Sequence, residues 1–276
     1  MLAIVLILIS AVFHASVSLV VKQAGDRLVN RALINLVSGV IAMPLLFFVA
    51  PLTPLAAKHL AIGIAFHWAY QMATIRAFKH GDFSAVYPVM RGTSVLLTAI
   101  GAAVLLGESF PPVKLAGLFI ASLALTQFRK STSPAHRSAL LWALLTAFTI
   151  GAYTVNDGAG AKAATSGVSY VVWFFAIEAF PITLTALIAR RGGFLSACQA
   201  QWRPAMIGGV MSFVGYGLSL IALRLADVSE ITALRETSVV FAALMGVFIL
   251  HENFGRRRIF AALALAAGLI FMQLGG

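Results

Sequence analysis

Two arginines stand in strongly apolar surroundings: Arg91 in YPVMRGTSVLL and Arg235 in ITALRETSVVF. A guanidinium at mid-bilayer costs roughly 3 kcal/mol on insertion scales unless it faces protein or water. The pair could clamp a carboxylate or phosphate on a bound molecule, or be neutralised by an internal acid, Glu178 or Glu236. Glu178 lies between Trp173-Phe174 and Pro181. A carboxylate so placed could bind an ammonium group, carry a coupling proton, or serve as the partner of an arginine. Tyr87 is four residues before Arg91 and shares its helical face, while Pro88 frees a carbonyl of the kind found beside cavities.

The remaining polar residues fall in stripes. Ser10, His14, Ser18 and Lys22 are each four apart. His67 with Tyr70, Gln71 and Thr74 makes a second stripe. Thr146, Thr149, Tyr153 and Asn156-Asp157 make a third, and Ser212, Tyr216 and Ser219 a fourth. A single buried histidine is usually just hydrogen-bonded. One wet face on each of several apolar helices is harder to explain by packing, and describes a central, partly hydrated cavity. The expected substrate-contacting set is His14, His67, Tyr70, Tyr87, Arg91, Tyr153, Glu178, Tyr216, Arg235 and Glu236.

The elements that must position these residues follow from composition. Of 276 residues, 61% are hydrophobic and 11% charged. A soluble domain is about a quarter charged, so a water-soluble fold is excluded, and disorder with it. What remains is an all-α integral membrane protein. Ten candidate spans are read at about 2–21, 32–50, 59–76, 83–106, 112–128, 138–156, 168–189, 204–223, 229–250 and 258–274. The breaks coincide with turn chemistry, at Pro51–Pro54, Lys79–Asp82, Pro111-Pro112, Asp157–Gly160 and Gly192-Gly193. The first run lacks a basic leader and is read as a span rather than a signal peptide.

The strongest break, RKSTSPAHR at 129–137, lies near the midpoint. At an offset of 144, residues 90–110 align without gaps on 234–254, with eight identities in 21 positions. Arg91/Arg235, Thr93/Thr237, Ser94/Ser238 and Glu108/Glu252 are among them. Matched polar residues are not faked by apolar composition. The expected organisation is a first five-helix repeat over 1–130, a linker over 131–137 and a second repeat over 138–276. An odd span count inverts the second copy, an architecture of secondary transporters with a midplane site. Small residues at Ala99, Ala103 and Gly107, and at Ala242 and Gly246, read as helix-packing seams. Trp142 and Trp202 read as interfacial anchors.

Net charge is +11. The odd-numbered connectors hold 14 Lys and Arg and the even-numbered ones four. The basic side is therefore expected in the cytoplasm, with both termini outside. No basic run or basic amphipathic segment suits nucleic acid.

YPVMRGTSVLLTAIGAAVLLGE (87–108) and LRETSVVFAALMGVFILHE (234–252), with AYTVNDGAG (152–160) and HASVSLVVKQAGD (14–26), resemble the paired signatures of EamA-type carriers of the drug/metabolite transporter superfamily. The resemblance covers both halves. It implies ten helices in two inverted repeats around a central cavity, a bacterial inner-membrane location, and movement of small organic metabolites such as amino acids, often by export. It carries over His14, Arg91, Tyr153, Arg235 and Glu236 as cavity or gate residues. Many relatives have Trp-Asn shortly after the first histidine, where this chain has Val17 and Ser18.

The expected function is a secondary active or facilitative transporter working by alternating access, with the bilayer and a small molecule as partners and a proton as a possible coupling ion. No Walker loop is present and no cofactor is expected. An intramembrane enzyme acting on lipid or peptide is the alternative. It would need a nucleophile with a base or a metal triad, whereas HExxH is missing and Cys198 sits alone in a connector. Neither catalytic nor metal-ligating residues are expected.

Overall fold

The structure is a computed structural model that describes residues 1–81, 83–109 and 134–249, together with Pro112, Ala116 and Phe119. The expected spans at 112–128 and 258–274, and the repeat residues Glu252 and Phe254, lie outside the described residues. Among the described residues the chain is all-helical, without strands. The helices are α1 (Leu2–Gln23), α2 (Arg27–Leu45), α3 (Pro54–His80), α4 (Phe83–Leu106), α5 (Pro134–Ala163), α6 (Gly167–Arg190), α7 (Phe194–Leu225), α8 (Val228–Arg235) and α9 (Thr237–Phe248). Five stretches are long and apolar enough to cross a bilayer: Leu2–Gln23, Arg27–Phe48, Val89–Leu106, Arg137–Ala163 and Gly167–Leu225, the last containing both α6 and α7. At 27 residues, α3 is also long, about 40 Å at 1.5 Å per residue. Its mid-helix polar residues His67, Gln71 and Thr74 are buried.

Local chemistry sets the helix ends. The Asp26 carboxylate accepts from the backbone N–H of Leu28 and Val29 and starts α2. Thr53 accepts from the Ala56 N–H, with Pro54 at the first helical position of α3. Ser166 starts α6 by accepting from the Ser169 N–H.

Three expectations are corrected. Asp157–Gly160 is not a break, because α5 runs on to Ala163. Its buried polar groups have partners on neighbouring helices, so the backbone has no reason to leave the helix. The expected span at 229–250 is interrupted at Glu236, between α8 and α9. Gly107 is not a seam residue: it turns the chain out of α4 at φ +71°, and a Cβ there would meet nothing within 4 Å.

The largest interfaces pair α3 with α5, α4 with α5, α1 with α7, and α2 with both α6 and α7. Close approach relies on small residues: a Cβ on Gly39 of α2 would lie 2.7 Å from the Ala179 Cβ of α6. Apolar side chains such as Val40, Phe47, Val104, Leu141 and Ile188 are exposed on the outside, while polar residues are gathered inside. This arrangement suits a lipid environment.

The two ends of the bundle differ. One end gathers the close of α1 and α3 and the start of α2. There the Arg190 guanidinium donates to the Asp26 carboxylate, and Lys22 donates to the Gly81 carbonyl at 3.3 Å. Burial pushes the Asp26 carboxyl up, but hydrogen bonds from Arg190 and from the Val29 and Leu28 N–H groups outweigh it and hold the group below the ordinary carboxylate value. At the opposite end, Thr53 donates to the Ala163 carbonyl at 2.9 Å. Arg224 donates to the carbonyls of Ala161 and Ala164, both at 2.6 Å.

Candidate functional site

A cavity lies between the helices, with about 480 Å³ of empty space when its open mouth is included. Its walls come from His14 and Ser18 on α1, Arg31 on α2, His67 and Tyr70 on α3, Tyr153 on α5, Phe174, Phe175 and Glu178 on α6, Ser212 and Tyr216 on α7, and Arg235 on α8. A second hollow of about 270 Å³ shares Ser18, Arg31 and Tyr70 with it and continues past Thr74 to Val21 and Phe78. That path leads towards the end where α1 and α3 close, the basic end of the bundle.

Aromatic rings form one wall. His67 stacks on Tyr153 with centroids 4.0 Å apart and an interplanar angle of 27°. Tyr216 meets His67 edge-on at 5.3 Å, and Phe174 meets it at 4.8 Å. Behind the wall is Asp157, fully buried. Its Oδ2 lies 2.8 Å from His67 Nε2 and accepts from the Tyr216 hydroxyl at 2.5 Å. Gly63 makes the approach possible, because a Cβ there would sit 2.6 Å from Asp157 Oδ1. One turn away, His59 Nδ1 meets Asn156 Oδ1 at 3.0 Å, and Asn156 donates to the His59 carbonyl at 2.7 Å.

Arg235 lies over the Tyr216 ring, 5.1 Å from its centroid. It donates to His14 Nδ1 at 3.2 Å. A guanidinium has no acceptor, so this nitrogen of His14 is the bare one. Arg235 makes no ion pair among the described residues. Glu178, on another wall of the same cavity, makes none either; its carboxylate accepts from Gln71 Nε2. Asn35 in turn donates to Gln71 Oε1 at 3.1 Å and holds that amide in place. The cavity thus presents two cations, Arg31 and Arg235, and one anion, Glu178, none of them in an ion pair among the described residues.

The other arginine behaves differently. Arg91 is buried, and its guanidinium is 2.6 Å from the Glu236 carboxylate in an ion pair with almost no exposure on either side. Tyr87 donates to Ser238 at 3.2 Å nearby. Of the ten expected site residues, His14, His67, Tyr70, Tyr153, Glu178, Tyr216 and Arg235 line the cavity. Tyr87, Arg91 and Glu236 are gathered in the adjacent contact of α4 with α8 and α9.

Asp157, Arg31 and Asn35 lie outside the expected substrate-contacting set. Asp157 was legible as part of a polar run but reads as turn sequence. Arg31 also reads as a topology charge near a helix end. Both Arg31 and Asn35 belong to a polar stripe on α2, Arg27, Arg31, Asn35 and Ser38 at helical spacing, and that stripe is the signal that could have found them.

Residues 137–274 match the sequence model of the EamA-like transporter family. No curated protein shows a significant match. A solved crystal structure is similar to the chain with a TM-score of 0.72 over 99% of this chain and 96% of its own, at 16% identity. At that identity the likeness carries the fold alone.

Proposed function

The chain belongs to the EamA-like transporter family, a family of multi-pass membrane transporters, and from this premise we propose that it moves a small zwitterionic metabolite, of the amino-acid kind, by alternating access around the central cavity. The observation that carries the substrate class is the pair of opposite charges, Arg235 and Glu178, on the cavity walls, neither in an ion pair among the described residues, with Arg31 as a second cation beside them. Arg235 would take the carboxylate and Glu178 the ammonium group. Tyr70, Tyr153 and Tyr216 would contact the body of the substrate. A charged partner in a desolvated site is worth about 2–5 kcal/mol when truncated, enough for one such group to decide binding.

The packing supports the two-halves reading. If the first five spans are exchanged for the second five, the contact of α1 with α7 becomes that of α5 with α3. The contact of α2 with α6 maps onto itself. All three are extensive. The contact of α4 with α5 likewise corresponds to that of α1 with α8 and α9. On this reading the chain is two inverted five-helix repeats, over 1–130 and 138–276, joined at 131–137. The basic end faces the cytoplasm of a bacterial inner membrane with both termini outside. On this reading the second hollow lies on the cytoplasmic side of the cavity, the side from which an exporter would load.

The test is a thermal-shift screen of purified protein against amino acids, polyamines and monocarboxylates. Zwitterions stabilise the protein, molecules with only one of the two charges do so weakly, and the shift disappears in Arg235→Ala and Glu178→Ala. Stabilisation by polyamines alone, or shifts unchanged in both variants, would contradict this assignment.

A further inference from the structure

We propose that the His67–Asp157 pair behind the cavity wall is a proton-binding site whose occupancy is linked, through Tyr216 and Arg235, to binding of an anionic group in the cavity. This inference rests on the carrier reading above.

The geometry is a chain of four side chains from four helices. Arg235 lies over Tyr216, Tyr216 donates to Asp157 Oδ2, and the same oxygen meets His67 Nε2 at 2.8 Å. With Asp157 as carboxylate and His67 neutral, the pair carries one negative charge in a fully buried place. The groups that face it are Tyr153 of α5, Tyr70 of α3, Tyr170 and Glu178 of α6, Tyr216 of α7 and Arg235 of α8. His14 of α1 touches Arg235. Arg91 of α4 is tied to Glu236. Arg31 of α2 also lines the cavity, over the Tyr70 ring, and like Arg235 makes no ion pair among the described residues. The cation joined to the pair through its hydrogen-bonded Tyr216 is Arg235, which balances the negative charge from across that ring.

A substrate carboxylate on Arg235 takes that balance away. The buried negative charge then favours one more proton, taken from water in the cavity and held as an imidazolium beside the carboxylate, which leaves the pair neutral. Proton and carboxylate thus favour each other, and by linkage each raises the affinity for the other. In transport they cross together: substrate leaving down its gradient carries a proton outward, and an inward proton gradient drives uptake. Glu178 accepts from Gln71 and the Arg91–Glu236 pair is closed on itself; the Tyr216 contact with Arg235 is made by the partner of Asp157.

The experiment has two arms. In the first, ¹⁵N-histidine NMR of the purified protein follows ring protonation, with His67 assigned by its loss in His67→Gln. His67 titrates, and a mixture of the common L-amino acids moves its midpoint to higher pH. In Asp157→Asn the mixture no longer moves it. In the second, proteoliposomes with clamped membrane potential take up the same mixture carrying a radiolabel. Wild-type accumulation rises by up to about tenfold per unit of inward pH gradient, and in Asp157→Asn any remaining exchange ignores the gradient. Label moving without regard to pH in the wild type, or following it in Asp157→Asn, would overturn the inference and leave the carrier reading standing. If no label binds or moves, the carrier assignment to amino acids fails, and a His67 that does not titrate then removes the proton site as well. Should Asp157→Asn not fold, the wild-type midpoint shift decides by itself.

Discussion

The Arg91 guanidinium and the Glu236 carboxylate meet at 2.6 Å inside the bundle, and they come from the two segments that the internal repeat aligns. Arg235, the repeat counterpart of Arg91, is the neighbour of Glu236 in sequence, yet it faces the cavity without an acid. The two aligned segments share their residues but use them differently, one arginine meeting an acid across the bundle and one lining the cavity.

Removing one member of the joined pair leaves a buried charge alone. Arg91→Ala should destabilise the protein by about 3–5 kcal/mol, and Glu236→Gln by a comparable amount. The double variant should recover much of the loss, because neither charge is stranded. Denaturant unfolding in detergent measures all three. Additive losses would mean that the two side chains do not depend on each other.

At the non-basic end, Glu108 reaches from the close of α4 to the start of α8. It accepts from the Val228 N–H at 2.7 Å, the Ser229 N–H at 3.2 Å and the Ser229 hydroxyl at 2.7 Å. A carboxylate on the first N–H groups of a helix also meets the positive end of its dipole. This bridge ties the close of α4 to the start of α8 at that end. Glu108→Ala should raise the labelling rate of a cysteine placed at Ala226 by an impermeant thiol reagent, in a Cys198→Ala background. Unchanged labelling would show that the end is held by other contacts.

Much of this arrangement was readable beforehand, for identifiable reasons. The span at 83–106 coincides with α4 because an apolar run with one arginine has one economical reading. Seven of the ten expected site residues line the cavity because polar side chains at helical spacing have nowhere else to turn in a bilayer. Asp157 stands in a polar stripe but also in NDGAG, which reads as a turn; its contacts with His67 of α3 and Tyr216 of α7 are made across the bundle, where sequence cannot show them. The interruption at Glu236 was equally hidden, since RETS is ordinary helical sequence and the break accompanies an ion pair formed across the bundle.

The Asp26–Arg190 pair gives the fold a dependence on acid. A carboxyl held below its ordinary value favours the folded state wherever it is ionised, so its contribution is present above the ordinary carboxylate value. It is lost as pH falls through that value to the lower folded one. Asp26→Asn should therefore lower the Tm at neutral pH and leave it little changed in acid. The pair is largely exposed, so the effect should be small and shrink further in salt. A variant equally affected at both pH values would assign the loss to the helix cap instead.

The most direct test of the central claim is counterflow in proteoliposomes loaded with unlabelled amino acids, comparing wild type with Arg235→Gln and Glu178→Gln. The account predicts exchange by the wild type and an apparent affinity at least about 30-fold weaker in each variant, the equivalent of about 2 kcal/mol. Exchange that survives both substitutions with unchanged affinity would contradict it.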